Sequence, residues 1–143
     1  MNEKHATGLI IVSHGEMGRE LLIAAERIMG KQGQVRVISL KAEDGLETIK
    51  ENIEDAMKDA GMPAKKVILV DIFGGTPSNA SLYFLDKYDL EIVGGINLPM
   101  LLTFFSSRNE MPAGELVRKM VDSGRKGVMD IKDFAVERLR AKK

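Results

Sequence analysis

The chain has 143 residues, enough for one domain with a real hydrophobic core and too few for two ordinary catalytic domains. Its 21 Lys and Arg balance its 21 Asp and Glu, so no overall field selects nucleic acid or an anionic membrane as partner. Cysteine is absent, which removes disulfide scaffolds, thiolate metal sites and cysteine nucleophiles and fits a reducing cytoplasm.

In chain order, Met1 to His5 is polar, without the apolar core of a signal peptide, and His5 reads as a solvated tail residue. No apolar run approaches the ~20 residues a membrane span needs, so a soluble cytoplasmic protein with no direct membrane insertion is expected. The first strand is predicted over about Leu9 to Ser13, a near-continuous apolar run of the kind found where helices cover both faces of a parallel sheet. His14 and Gly15 follow at once, and Met17, Leu21, Ala24, Ala25 and Ile28 recur at helical spacing up to Gly30, placed as a C-cap.

A short strand, Val35 to Leu40, leads to Asp44, with Glu47 in capping-box arrangement. The second helix carries the stripe Leu46, Ile49, Ile53, Met57 and Ala60 and closes at Gly61 and Pro63. Strand three is Val67 to Val70, and Thr76-Pro77 reads as an N-cap before proline at the first position of a helix running to about Lys87. Strand four, Leu90 to Val93, precedes Gly94-Gly-Ile-Asn-Leu-Pro99 and a helix through Met100, Leu101, Phe104 and Phe105. Pro112 opens a helix containing Leu116, Val117, Met120 and Val121, with Gly124 as its expected end. Gly127 to Ile131 is a candidate fifth strand, and Phe134 to Lys143 reads as a basic amphipathic helix or a frayed tail.

Four strand-then-helix repeats imply an α/β domain: a doubly wound open sheet of four parallel strands with flanking helices and right-handed crossovers. The whole chain, 1–143, is expected to be one domain with its core at about 8–131 and a basic segment over 132–143.

Ligands in such sheets bind beyond the carboxyl ends of the strands, and there the sequence places His14 and, after strand three, Asp71-Ile-Phe-Gly-Gly-Thr-Pro77. Neutral imidazole is a good nucleophile toward phosphorus, and with an ordinary pKa near 6.5 most of a free histidine is neutral at pH 7. A carboxylate that accepts from one ring nitrogen leaves the lone pair of the other free to react, and Asp71 is the candidate for that task. Gly74 and Gly75 let backbone N–H groups approach a phosphoryl group, with Thr76 as hydroxyl donor and Ser78 in the first helical turn as a further contact. Met17, Phe73, Asn97, Pro99 and Met100 lie in loops beside these residues, as a rim or partner-docking surface. No nucleotide-binding loop of the G-x-x-x-x-G-K-[ST] type is present, so a phosphoprotein is the expected donor, and no cofactor or metal is called for.

Three segments in this order and spacing, Leu9-Ile-Ile-Val-Ser-His14-Gly15, Val70-Asp-Ile-Phe-Gly-Gly-Thr-Pro-Ser-Asn79 and Gly94-Gly-Ile-Asn-Leu-Pro-Met100, resemble the mannose/fructose/sorbose-type IIA components of the phosphoenolpyruvate-dependent sugar phosphotransferase system, the PTS. The resemblance implies that His14 accepts a phosphoryl group on Nε2 from the histidine phosphocarrier protein HPr and donates it to a IIB component. It implies that Asp71 holds Nδ1 and that the Thr76 hydroxyl lies near the phosphate. It further implies a homodimer built on an exchanged C-terminal strand and association with a IIC/IID permease through IIB; no IIB domain follows in this sequence, so the acceptor is expected to be a separate chain.

Other readings differ at single positions. A phosphohistidine regulator without sugar transport would use the same chemistry at His14. A receiver phosphorylated on Asp71 needs an acidic pair after the first strand, where the chain has Ser13-His14-Gly15. Histidine phosphatases begin Arg-His-Gly and use a second histidine, and tetrapyrrole chelatases need further metal-directed ligands beside a strand-end His-Gly.

Overall fold

The computed structural model describes residues 6–142, so the expectation for His5 lies outside the described residues. Four strands, β1 (Gly8–His14), β2 (Val35–Leu40), β3 (Lys66–Val70) and β4 (Leu90–Gly94), form one parallel sheet in the order β2-β1-β3-β4. Helices α1 (Met17–Met29), α2 (Leu46–Lys58) and α3 (Thr76–Leu82) follow the first three strands. After β4 come α4 (Leu98–Ser107), α5 (Ala113–Lys126) and α6 (Ile131–Ala141). This is the expected doubly wound α/β architecture.

Leu9 through Val12 are fully buried because both faces of β1 are covered. Leu9 and Ile11 join Val67, Leu69, Leu101, Phe104, Leu116 and Met120 in the layer beneath α1, α4 and α5. Ile10 and Val12 join Ile49, Ile53, Ile68, Val70 and Phe84 in the layer beneath α2 and α3. The period-two alternation of a strand therefore sends odd-numbered residues of β1 to one layer and even-numbered residues to the other. At the amino ends of the strands the buried Arg108 donates to the carbonyls of Thr7, Gly33 and Gln34, with bonds of 2.8 Å to Thr7 and Gly33.

Several local expectations change. Asp44 does not cap α2: its carboxylate closes a turn by accepting the Lys41 N–H at 2.8 Å, and Gly45 is the N-cap. Helix α3 ends at Leu82 rather than near Lys87, and its continuation is a chain of tight turns, Phe84 N to Ser81 O and Leu85 N to Leu82 O. Gly124 lies inside α5 instead of ending it. Its missing Cβ leaves room for Met100 Cε, which a Cβ would meet at 2.8 Å, and its carbonyl accepts from Asn97 Nδ2 at 2.9 Å.

Gly127–Ile131 adds no strand to the sheet. Asp130 accepts the Asp133 N–H at 3.0 Å and so caps α6, which takes up the basic C-terminal segment as a helix. None of the α6 residues is buried. Among the described residues no helix is long and apolar enough to cross a membrane.

Candidate functional site

The chain leaves β1 through α1 to β2 on one side and reaches β3 on the other, so β1 and β3 flank the point where strand order reverses. Crevices at such a point are where open α/β sheets bind ligands. Val12 is in register with Val70, which brings the residues just beyond, His14 and Asp71, to the same edge.

One carboxylate oxygen grips His14 twice. Asp71 Oδ2 accepts the backbone N–H of His14 at 2.9 Å and lies 2.7 Å from ring Nδ1. The other oxygen, Oδ1, accepts the Ile72 N–H at 2.9 Å, which locks the carboxylate plane. The His14 side chain is 53% exposed and the Asp71 side chain 8%, so a nearly buried anion aims a half-exposed ring. An ionised carboxylate only accepts, so Nδ1 carries the ring proton and Nε2 keeps its lone pair. Burial pushes the Asp71 carboxyl up, but the His14 backbone N–H, the His14 ring and the Ile72 N–H together outweigh it and hold the group below the ordinary carboxylate value of 3.8.

The glycines supply the opposite wall. A Cβ on Gly75 would lie 3.1 Å from His14 Cε1 and 3.6 Å from Nε2, so the bare backbone of residue 75 faces the reactive edge of the ring. Gly74 has φ +96°, a conformation that side chains disfavour, and this residue turns the chain toward α3. Gly75 takes the N-cap position expected of Thr76, which becomes the first helical residue with Pro77 behind it. Ser78 is 2% exposed and lines a groove with Val70, Phe73, Leu82 and Ile92.

The expected rim divides in two. Met17 and Phe73 are exposed, Phe73 at 80%, and Ile72 at 59% extends the same apolar surface, a residue that its place between Asp71 and Phe73 did not single out. Met100 is buried at 4% because it opens α4 facing α5, which removes it from any docking patch. Asn97 is the N-cap of α4, accepting the Met100 N–H at 3.1 Å, and Pro99 packs against Gly127 at the end of α5. Both hold α4 to α5. The loop they belong to is nonetheless pinned to the site edge, since Gly95 N and Ile96 N donate to Val70 O at 3.0 and 3.2 Å.

An exposed imidazole with one nitrogen anchored and the other open can accept and release a small electrophile such as a phosphoryl group. Comparison with known proteins points the same way. The family model EIIA-man, described as the PTS system fructose IIA component, matches residues 8–121. The chain is 33% identical over 132 residues to the PTS system mannose-specific EIIAB component of Escherichia coli, covering 91% of this chain and 41% of that protein, so it spans less than half of that relative's length. It is 30% identical over 113 residues to the PTS system fructose-specific EIIA component of Bacillus subtilis, covering 78% of this chain and 77% of that protein. Among solved structures, the phosphotransferase system component EIIA of Streptococcus agalactiae superposes with a TM-score of 0.82 at 27% identity, covering 89% of this chain and 98% of that one.

Proposed function

This chain belongs to the EIIA-man family of PTS fructose IIA components, and from that premise we propose that His14 is its phosphoryl-bearing residue, loaded by HPr and unloaded by a IIB component. A phosphoryl-carrier role in the PTS goes with membership of the family. The observation that carries the assignment to His14 is the bond from its Nδ1 to the nearly buried carboxylate of Asp71, which leaves Nε2 open above Gly75.

In this reading the lone pair on Nε2 attacks the phosphorus of the donor's phosphohistidine. The new N–P bond forms as the donor's N–P bond breaks, and the donor imidazole leaves with its electron pair. The Nδ1 proton stays in the bond to Asp71, whose negative charge offsets the imidazolium character that develops on the ring. The backbone at Gly74 and Gly75 and the Thr76 hydroxyl are the proposed donors to the phosphoryl oxygens. Few charged groups hold the phosphate, which suits a carrier that must pass it on. Transfer to IIB is the same displacement in reverse.

Met17, Ile72 and Phe73 form the proposed apolar contact for both partners. We further assign the exposed apolar groups Val128, Met129, Ile131, Phe134 and Leu139 to contact with a second copy of the chain. A cytoplasmic location, and contact with the IIC/IID permease only through IIB, complete the reading.

The test is labelling from phosphoenolpyruvate through enzyme I and HPr. The chain is expected to acquire an acid-labile, base-stable phosphate that His14→Ala abolishes. Undiminished labelling of that variant rejects the site.

A further inference from the structure

We propose that Ser13 is a positioning residue for His14, a role resting on the reading of His14 as phosphoryl acceptor. Ser13 is fully buried beside the exposed His14, on the layer facing α1. Its Oγ accepts the Gly18 N–H at 2.8 Å, a buried bond, and lies 3.4 Å from Gly15 O.

The placement of that bond is unusual. Gly18 is the second residue of α1, whose first N–H groups have no partner within the helix, and a side chain at the N-cap ordinarily supplies one. Here the N-cap is Glu16, which makes no capping bond and pairs its carboxylate with Arg19 at 3.0 Å. The capping oxygen comes instead from the strand, five residues back. The bond therefore ties the end of β1 directly to the start of α1 and closes residues 14–17 into a short pinned turn.

Gly18 makes this approach possible, since a Cβ there would sit 2.6 Å from Ile11 Cγ2 and 3.0 Å from Ser13 Oγ. The same turn is anchored by Gly15 N to Leu40 O at 2.8 Å and by His14 N to Asp71 Oδ2 at 2.9 Å. Ser13 thus sets the backbone from which the imidazole reaches Asp71, without touching the ring or the phosphoryl group. The signal in the sequence is a hydroxyl residue before His14 with glycine five positions after it.

The test uses the full chain and single-turnover transfer from phosphorylated HPr. Ser13→Ala and Ser13→Cys are expected to lower the rate at saturating donor by about ten- to a hundredfold, the scale of a small misplacement of a reacting group. The half-saturating donor concentration stays within about twofold of the parent chain, and Ser13→Thr, which keeps the hydroxyl, restores the rate to within about threefold. The downfield NMR signal of the Nδ1 proton is retained in Ser13→Thr and is weakened or shifted in the other two. Should Ser13→Ala fail to fold, Ser13→Cys carries the test alone, with similar volume and a weak acceptor. Parental rates and an unchanged ring proton in Ser13→Cys overturn the proposal, as does an effect confined to the half-saturating concentration. A parent chain that takes up no phosphate overturns the reading of His14 itself, while the ring-proton comparison still decides whether Ser13 positions the imidazole.

Discussion

Replacing Asp71 by asparagine keeps the size of the side chain and removes its charge and one of its acceptors. Three N–H groups converge on the carboxylate: the backbone and ring of His14 on Oδ2 and the backbone of Ile72 on Oδ1. An amide offers one oxygen. With that oxygen toward His14, the amide nitrogen meets the Ile72 N–H donor to donor. With the nitrogen toward His14, Nδ1 is met by a donor, the ring proton moves to Nε2, and the lone pair needed for attack is lost. Either arrangement leaves a donor unpaired, at about 1–3 kcal/mol if fully buried. Because the Ile72 residue is 59% exposed, water restores part of the loss, and the stability cost is taken as ~1 kcal/mol, or a fall of about 2–4 °C in Tm.

The effect on transfer is larger. A hydrogen bond to a charged group is worth about 1.5–3 kcal/mol, and every 1.4 kcal/mol is tenfold in rate, so losing the charge alone slows phosphorylation by roughly ten- to over a hundredfold. Where the amide nitrogen faces His14 the misplaced ring proton adds to that, and a fall of about a hundredfold is expected, measured as the single-turnover rate with phosphorylated HPr alongside thermal unfolding. A rate within threefold of the parent chain, with the fold intact, would refute the claim that Asp71 sets the tautomer.

Gly75→Ala probes the opposite wall without backbone strain, because φ at residue 75 is −89°. The added methyl, 3.1 Å from His14 Cε1 and 3.6 Å from Nε2, displaces the ring or blocks phosphorus, so transfer falls about ten- to a hundredfold while Tm changes little; a parental rate in quench-flow contradicts this geometry. For pH, the Asp71 carboxyl is held below its ordinary value of 3.8, so the unfolded chain takes up the proton first as pH falls. Its stabilising contribution is full above that value and is lost as pH drops through it toward the lower folded value. The stability gap between the parent chain and Asp71→Asn, from urea unfolding, should therefore be at its full width above about pH 3.8 and narrow as pH falls below it; a gap that widens in acid has the wrong sign. Arg108→Ala removes a buried guanidinium at the far end of the sheet, with a cost of about 3 kcal/mol and a Tm lower by roughly 6–12 °C, yet the transfer rate well below Tm should not change.

The parallel sheet was legible because the strands are short apolar runs, buried on both sides, that alternate with helical stripes such as Ile49, Ile53 and Met57. The juxtaposition of His14 and Asp71 was legible for a related reason: each follows a strand directly, and adjacent parallel strands deliver their carboxyl ends to one edge. What local pattern does not carry is competition from tertiary contacts. Asp44 has the residues of a capping box, yet its carboxylate is taken by Lys41 N. Gly124 resembles a helix stop, yet α5 runs through it because Asn97 and Met100 need the space a side chain would fill. Met100 and Ser78 sit in loops and first turns beside the site, and only packing decides that both face inward. The double grip of Asp71 Oδ2 on backbone and ring, and the bond from Ser13 to Gly18, depend on the path of a turn that no spacing rule specifies.

The central claim is that a phosphoryl group rests on one nitrogen of one histidine. Loading the chain from phosphorylated HPr and recording nitrogen and phosphorus NMR of the product tests it most directly. The expected result is a single phosphohistidine at His14, bonded through Nε2, with Nδ1 still protonated and hydrogen-bonded to Asp71. Phosphorus bonded through Nδ1, or carried by any other residue, would contradict the account.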